Sequence, residues 1–375
     1  MHLSSIIIDN YNNGRFLKEA IDSALDQTYP NIEVIVVDDG STDDSREIID
    51  GYGNRITPVF KENGGQASAF NAGFLVSRGE VVFFLDADDR FLPTTVEAAM
   101  GVFGAGIAKV HWPLREIDEH GENTGQLVPS GELSEGDRRE VVIRDGPWNC
   151  IVAPTTGNAW ARAFLEWVLP IPEKEWRICT DVYLFTLAPV FGRIERLSEP
   201  QGFYRVHGQN YYDSARNKKT FDEVVGMECI LYDKACATLS RVCRDMGIQV
   251  DPEAWKSKSW LHRLRSATQE IVDLVPEGEA FILVDGDMWG TDDELGGRRR
   301  IPFLERDGQY WGPPPDDATA IKELERLQRS GASFMVFAWP AFWWLEYYAG
   351  LREHLRSEFR CMLENERLVA FDLRS

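Results

Sequence analysis

The stretch EVVFFLDADD at residues 80–89 decides the fold of this chain, because a continuous apolar run ends directly in a cluster of acidic residues. An apolar run without polar alternation is typical of a strand buried on both faces of a sheet. Similar strand-like runs precede it: SSIII at 4–8, IEVIVVDD at 32–39 and TPVFKE at 57–62. Segments with helical periodicity alternate with them: 14–27, 41–53 and 66–77. This alternation predicts an α/β fold with a Rossmann-like, mostly parallel sheet.

The remaining chain divides into segments of different character. Residues 115–140 are polar and Gly-rich, which predicts a hairpin or loop, and 219–275 form a long helical stretch broken by MGIQVDPE. In the tail we expect a loop over 298–317 and a single aromatic-rich helix over 341–357. The prediction is therefore a catalytic α/β domain at 1–212, a helical segment at 213–277 and a small α/β accessory domain at 278–375.

The charge balance excludes several classes of partner. Acidic residues outnumber basic ones by 61 to 40, so the 375-residue chain has a formal charge of −21. General nucleic-acid binding and docking on anionic lipid both need exposed cations, and we expect neither. No apolar run approaches the roughly 20 residues that cross a bilayer. No transmembrane segment is therefore expected, and the first residues lack the pattern of a signal peptide.

The six cysteines show no spacing typical of metal ligands. Cys229, Cys236 and Cys243 repeat every seven residues, which predicts that they pack in the core on one face of a helix. This usage indicates reduced thiols, and we expect a cytoplasmic protein.

Acidic residues follow two of the predicted strands at the point where each strand ends. Asp38 and Asp39 follow one strand, and Asp86, Asp88 and Asp89 follow another. The carboxyl ends of parallel strands meet at the edge where an open α/β sheet binds its ligand. Crowded carboxylates repel each other, and a divalent cation would relieve that repulsion. The alternative is that these residues only form turns and helix caps.

Five ordered segments together resemble one enzyme family. They are NYNNGRFLKEAIDSALDQTYPNIEVIVVDDGSTDDS, ENGGQASAFNAG, SRGEVVFFLDADD, TTGNAWARA and YRVHGQN. Over residues 3–210 the chain resembles the family-2-type inverting glycosyltransferases of GT-A fold, whereas the last 95 or so residues resemble no family. The resemblance implies transfer of a sugar from a nucleotide-diphosphate-sugar donor, which we expect to be a UDP-sugar, to a hydroxyl acceptor. Surface-glycan or secondary-metabolite synthesis would use such a reaction.

The resemblance also implies roles for residues near the nucleotide. Asp39 matches the acid that hydrogen-bonds the nucleotide base, and Tyr11 is placed to stack on its ring. Asp9 stands on the first loop where many relatives have Pro or Thr, and it is a third candidate for donor binding.

Asp86 and Asp88 match the Asp-x-Asp element of the family. The resemblance implies that Asp86 lies near the ribose and that Asp88 holds Mn²⁺ or Mg²⁺, with Asp89 able to share either task. His207 in YRVHGQN resembles a histidine that meets the diphosphate or the metal. A lone histidine is equally compatible with a structural role.

Asp181 is the candidate catalytic base. An inverting transferase needs a carboxylate that deprotonates the acceptor hydroxyl. In the family this acid begins a helix about a hundred residues beyond the Asp-x-Asp element, and Asp181 matches it. Thr180 replaces the acid that usually precedes it. Thr180 and Asp181 would also serve as an ordinary helix N-terminus.

Three further residues have competing interpretations. Asn71 and Arg78 are candidates for donor contact, although an ion pair with the surrounding acids is the favoured interpretation of Arg78. Trp160 is a candidate for lining the acceptor or sugar pocket, and core packing explains it nearly as well.

The tail contains no motif that we can connect to chemistry. Asp285-Gly286-Asp287 imitates a metal-binding edge but more often forms a turn, and six aromatic residues lie within 339–348. We expect these aromatics to form core, with part of the face exposed for contact with the acceptor chain or for formation of a homo-oligomer. A sugar nucleotidyltransferase and a non-catalytic nucleotide-sugar-binding protein are the alternatives for the whole chain.

Overall fold

The computed structural model describes residues 2–208, 210, 221–290 and 294–374, which form two compact units. The first unit contains the described residues up to 210 together with 231–256, and the second contains 221–230 and 257–374. The helical stretch that we expected to form a separate segment is divided between the two units. The predicted boundary at 212 and 213 lies outside the described residues, as does Gln209 of YRVHGQN.

A seven-stranded sheet forms the centre of the first unit, with the strand order β10-β6-β9-β4-β1-β2-β3. Its strands are β1 (Ser4–Asn10), β2 (Ile32–Asp38), β3 (Thr57–Phe60), β4 (Val81–Asp86), β6 (Ile107–His111), β9 (Asn158–Ala161) and β10 (Arg193–Arg196). β1 pairs in parallel with β2 and β4, β2 with β3, and β6 with β10. Only β9 runs antiparallel to its neighbours. The predicted α/β fold with a mostly parallel sheet is confirmed.

Helices cover both faces of this sheet. They are α1 (Gly14–Leu25), α2 (Ser45–Asp50), α3 (Gln66–Val76), α4 (Thr95–Met100), α5 (Arg139–Asp145), α6 (Arg162–Val168) and α7 (Thr180–Phe191). Side chains alternate between the faces along each strand, so Ile6 and Ile8 pack with α1, α2 and α4. Ile7, Val82 and Phe84 pack with α3, α6 and α7 on the other face. Burial on both faces explains why the strands are almost continuously apolar.

A smaller sheet lies beyond the end of β4, with the strand order β5-β11-β7-β8. Its strands are β5 (Arg90–Phe91), β7 (Leu114–Ile117), β8 (Asn123–Val128) and β11 (Gly202–Arg205). β7 and β8 form the hairpin predicted between residues 115 and 140. β11 carries the chain towards His207, so this sheet brings a distant segment close to the Asp-x-Asp element.

The helical stretch contains α8 (Phe221–Asp245), α9 (Pro252–Lys258) and α10 (Trp260–Leu274). Cys229, Cys236 and Cys243 on α8 are all buried, as the seven-residue repeat predicted. In the described ranges, no helix combines the length and hydropathy needed to cross a bilayer.

The second unit is a six-stranded sheet with the order β13-β14-β12-β17-β19-β18. Its strands are β12 (Ala280–Val284), β13 (Glu294–Leu295), β14 (Arg298–Pro302), β17 (Ala332–Ala338), β18 (Arg360–Glu364) and β19 (Leu368–Asp372), and the short hairpin β15 (Glu305–Arg306) and β16 (Gln309–Tyr310) follows β14. β12, β14 and β17 are parallel, and the other strands are antiparallel to their neighbours. The second unit also contains the helices α11 (Asp317–Arg329), α12 (Trp343–Tyr347) and α13 (Ala349–Glu358).

Two predictions for the tail were wrong in detail. The expected loop at 298–317 contains β14, β15 and β16, which have almost no apolar pattern because Ile301 is the only buried side chain within β14. The single aromatic helix is two helices, α12 and α13, with a break at Tyr348. Trp344 and Tyr348 are buried whereas Tyr347 is exposed, so the expectation of a partly exposed core is confirmed. Self-association through this unit stays a prediction.

Candidate active site

Acidic side chains gather at the carboxyl edge of the central sheet. β1 and β4 are parallel, and their register pairs Asp9 with Asp86. Paired positions of parallel strands point to the same face, so the two carboxyl groups are neighbours. Gln66, the first residue of α3, donates a hydrogen bond from Nε2 to Oδ1 of Asp86 at 3.1 Å. The structure thus brings together two residues that the sequence assigned to donor binding.

Asp88 and His207 form a partly buried pair beside this edge. Nε2 of His207 lies 2.9 Å from Oδ2 of Asp88. The ring of Phe16 packs against the imidazole with centroids 4.9 Å apart. The main-chain carbonyl of Asp88 accepts a hydrogen bond from Nε of Arg205 at 2.9 Å. The two predicted metal ligands are therefore adjacent and held in place by β11.

Asp89 has a different environment from Asp88. It is buried, its Oδ2 accepts the hydroxyl of Thr156 at 2.6 Å, and its Oδ1 accepts the backbone N–H of Arg205 at 2.8 Å. Both oxygens are thus used within the protein. Asp89 ties the end of β4 to β11 and to the 3-10 turn at Thr155–Gly157.

The site concentrates negative charge where solvation is poor. Burial raises the pKa of Asp86 well above its ordinary value, and further increases come from the charges of Asp9, Asp89, Asp88 and Asp181. Burial, followed by the charge of Asp88, also raises the pKa of Asp9. Oδ1 of Asp9 is buried without a hydrogen-bond partner. An edge of this kind would be stabilised by a cation.

The donor set fits a cation that a ligand would complete. Within the described residues, no group of three or more His, Cys, Asp or Glu side chains is arranged to hold a metal ion by itself. Asp88 and His207 supply a carboxylate oxygen and an imidazole nitrogen, and both are ligands of divalent metals. A diphosphate and water would fill the remaining positions.

Asp39 is buried directly after β2 and shapes the turn at Gly64 and Gly65. Its Oδ1 accepts Nζ of Lys61 at 2.5 Å and the N–H of Gly64 at 2.9 Å, and its Oδ2 accepts the N–H of Gly65 at 2.7 Å. Gly65 has φ of +89°, and a Cβ there would lie 2.5 Å from the carbonyl oxygen of Arg177. Glycine is therefore required at this position. Contact between Asp39 and a nucleotide base stays a prediction.

Tyr11 lies in the loop between β1 and α1 and is half exposed. The next residue, Asn12, donates its N–H to Oγ of Ser41 at 2.9 Å, and its Oδ1 accepts the N–H of Thr42 at 2.7 Å. These bonds tie the loop to the segment that follows Asp39. An exposed ring in this place is compatible with stacking on a nucleotide base, which stays a prediction.

Asp181 lies in the first turn of α7. The side chain of Gln66 links this turn to Asp86 at the carboxyl edge of the sheet. The N–H of Thr180 donates to Oε1 of Gln66 at 3.1 Å, and Nε2 of the same amide donates to Asp86. Burial raises the pKa of Asp181, because the charged carboxylate loses solvation, although the N–H of Val182 donates to its Oδ1 at 2.9 Å. A carboxyl group with a raised pKa is a better proton acceptor than an exposed aspartate.

Three other candidates lie away from this edge. Trp160 is 1% exposed in β9, so it packs in the core rather than lining an open pocket. Asn71 exchanges two hydrogen bonds with the backbone of Ile171, at 2.8 and 2.9 Å. Arg78 precedes β4, at the opposite end of the strand from Asp86, and forms an ion pair with Glu33 at 3.1 Å. The ion pair that was the favoured interpretation of Arg78 is therefore observed.

Sequence reasoning missed three residues that organise the site. Gln66 connects Asp86 with α7, Arg205 supports Asp88 and Asp89, and Lys109 is completely buried in β6. The sequence contained a signal only for Lys109, because a lysine in the apolar strand IAKVH contradicts the pattern of a buried strand.

Comparisons with known proteins agree with this architecture. The model of the family described as "Glycosyl transferase family 2" matches residues 5–152. An uncharacterized glycosyltransferase of Nostoc sp. is 39% identical over 224 residues, which cover 58% of this chain and 69% of the relative. An uncharacterized glycosyltransferase of Rickettsia prowazekii is 46% identical over 100 residues, covering 27% of this chain and 31% of the relative. The family model and the Nostoc relative together show that the chain is a glycosyltransferase.

The chain belongs to glycosyltransferase family 2. Chondroitin synthase of Pasteurella multocida is also similar, with 41% identity over 134 residues that cover 34% of this chain and 14% of the relative. Among solved structures, S. aureus TarS 1-349 in complex with UDP-GlcNAc is 17% identical, covers 71% of this chain and 72% of that one, and has a TM-score of 0.49.

Proposed function

We propose that this protein is a metal-dependent, inverting glycosyltransferase that moves a sugar from a UDP-sugar to a hydroxyl group of a glycan or small molecule. The observation that carries the proposal is the link from Asp86 through Gln66 to Thr180. It joins the acidic edge, which a cation would suit to a nucleotide diphosphate, to the helix that carries the partly buried carboxyl group of Asp181.

Asp88 and His207 are the residues that would hold Mn²⁺ or Mg²⁺. When bound, the cation supplies positive charge to the departing diphosphate. The support for this assignment is the 2.9 Å pair and the unpartnered, buried oxygen of Asp9.

Asp181 acts as the general base in this proposal. Its carboxylate takes the proton of the acceptor hydroxyl while the hydroxyl oxygen attacks the anomeric carbon. The bond between that carbon and the diphosphate oxygen breaks on the opposite side, so the configuration inverts. The proton ends on Asp181 and the electron pair of the broken bond leaves with the diphosphate.

Asp39 and Tyr11 are proposed to contact the nucleotide base, with Asp9 and Asp86 near the ribose and diphosphate. The loop bonds around Asp39 support this arrangement, because they fix the turn that would face the nucleotide. We also propose a cytoplasmic location, since none of the six cysteines is in a disulfide.

Calorimetric titration with UDP tests the proposal. We expect UDP to bind in the presence of Mn²⁺ and to lose most of its affinity when EDTA is added. Asp88→Asn should remove the dependence of UDP affinity on Mn²⁺. Asp50→Asn, which changes an exposed carboxylate on α2, should retain that dependence. Absence of UDP binding by the wild-type protein with Mn²⁺ would refute the proposal. Binding without release of UDP from any UDP-sugar would instead favour a non-catalytic binding protein.

A further inference from the structure

Lys109 is a buried cation without a hydrogen-bond partner. It lies in the middle of β6, it is 0% exposed, and its Nζ finds no acceptor. Lysine is almost never fully buried unless its charge is paired. Burial of an apolar side chain at this position would carry no desolvation penalty. Stability therefore does not explain why the position holds a lysine.

The surroundings of Lys109 keep its charge close to the proposed base. Its cross-strand neighbour is Trp160 on β9, and Nζ lies 5.1 Å from the centroid of that indole ring. The face of an indole ring attracts a cation. α7, which carries Asp181 in its first turn, packs on β6. The carboxylate of Asp181 and the ammonium of Lys109 attract each other there without forming a direct ion pair.

Two other titratable groups lie near Lys109, and the first of them, Cys150, has a stronger charge interaction with the lysine than Asp181 has. Cys150 contributes a thiol from the loop before the 3-10 turn. His111, two positions further along β6, is buried, and burial lowers its pKa to about 2, so the ring is neutral. Its Nε2 is 2.8 Å from the carbonyl oxygen of Ser134. Asp181 is therefore the carboxylate with which the charge of Lys109 interacts, and Cys150 is a second partner.

We propose that Lys109 is a positioning residue for the catalytic base: its ammonium group, held against Trp160, favours the ionised form of Asp181 that accepts the acceptor proton. This inference rests on the proposed function. Burial lowers the pKa of Lys109 to about 7, so the lysine carries most of its charge below pH 7. Its influence on Asp181 is strongest in that range.

Lys109→Met tests the inference, since methionine has a similar length and no charge. The measured quantity is release of UDP from UDP-glucose or UDP-N-acetylglucosamine with Mn²⁺, as a profile of kcat/KM against pH. We expect the acid limb to move to higher pH by about one unit, a loss of about tenfold at each pH on that limb. The plateau and the affinity for UDP should change little, and the thermal midpoint should rise because an unpaired buried amine has been removed.

Two further variants make the result specific. Lys174→Met removes an exposed lysine of the same unit. It should leave both the pH profile of kcat/KM and the thermal midpoint unchanged. Lys109→Arg retains the charge and should keep the acid limb near its wild-type position. If Lys109→Met does not fold, Lys109→Gln replaces it as the neutral variant. An unmoved acid limb in a folded neutral variant would overturn the inference.

The failure of this inference can be distinguished from failure of the proposed function. If Asp181→Asn abolishes release of UDP while the neutral Lys109 variant keeps the wild-type profile, Asp181 is the base and Lys109 does not assist it. If Asp181→Asn retains release of UDP, the assignment of the base is wrong and the inference falls with it.

Discussion

His207 and Asp88 are 119 positions apart in the sequence, yet Nε2 of His207 lies 2.9 Å from Oδ2 of Asp88. The small sheet produces this contact, because β11 brings the histidine to the end of β4. Neither residue alone would hold a divalent cation firmly. Together they offer two different ligand atoms at the edge where the acidic groups are most crowded.

His207→Asn should weaken binding of UDP in the presence of Mn²⁺ by about tenfold or more, because a ligand to the cation and a charge-assisted contact are both lost. Titration calorimetry at fixed Mn²⁺ measures this change. His120→Asn alters an exposed histidine in the same unit and should have no effect. Equal affinities for UDP in the wild-type protein and His207→Asn would show that the histidine is structural.

Asp181→Asn should retain the affinity for UDP and lose transfer by roughly 10²–10⁴-fold, the usual contribution of a general base. The asparagine keeps the size of the side chain but cannot take a proton. Release of UDP from a UDP-sugar and calorimetry on the same preparation separate the two effects. A parallel loss of UDP affinity would mean that Asp181 contributes to donor binding instead.

The pH dependence of kcat/KM should show an acid limb caused by Asp181. Only the ionised carboxylate accepts a proton, so activity falls as the pH drops through its pKa. Because burial raises that pKa, the limb should lie above the ordinary titration range of aspartate. A profile that stays flat down to the usual pKa of aspartate would contradict this assignment.

Gly65→Ala should destabilise the first unit more than Gly125→Ala does. Both glycines have positive φ, +89° and +85°, so alanine costs about 1–3 kcal/mol of backbone strain at either position. At Gly65 the new Cβ also collides with the carbonyl oxygen of Arg177, which adds roughly 1–3 kcal/mol, whereas Gly125 has no atom within 4 Å. Thermal unfolding compares the two variants. Similar midpoints would mean that the turn can move away.

Gly65→Ala should also weaken UDP binding if Asp39 contacts the nucleotide. The N–H of Gly65 donates to Oδ2 of Asp39, so displacement of the turn displaces this carboxylate. Gly125→Ala is the control for this effect as well. Unchanged affinity for UDP in a destabilised Gly65→Ala protein would separate the turn from the nucleotide site.

The core of the sheet could be predicted from the sequence because its strands have clear apolar patterns. β1, β2 and β4 are buried on both faces, so their apolar runs stand out, and the acids that follow mark the edge of the sheet. β14 escaped prediction since its three arginines give no alternation of apolar and polar residues. Pairing with β12 and β13 makes it a strand, and this information is not local.

The positions of site residues were predictable only where they follow a strand. Arg78 is close to the Asp-x-Asp element in sequence, but it precedes β4, and a six-residue strand separates the two edges by about 20 Å. Gln66 could not be found from its neighbours, because its role depends on Thr180, 114 positions away. Trp160 was ambiguous since an aromatic side chain serves a sugar pocket and a core equally well.

The amide of Gln66 has a consequence for any redesign of this enzyme. Its nitrogen must face Asp86 and its oxygen must face the N–H of Thr180, so a carboxylate or an ammonium group could satisfy only one of the two partners. Under the proposed function, donor specificity and acceptor chemistry would therefore not be independent modules that can be exchanged separately. Libraries that vary the residues around β4 should hold position 66 constant, or vary it together with the start of α7.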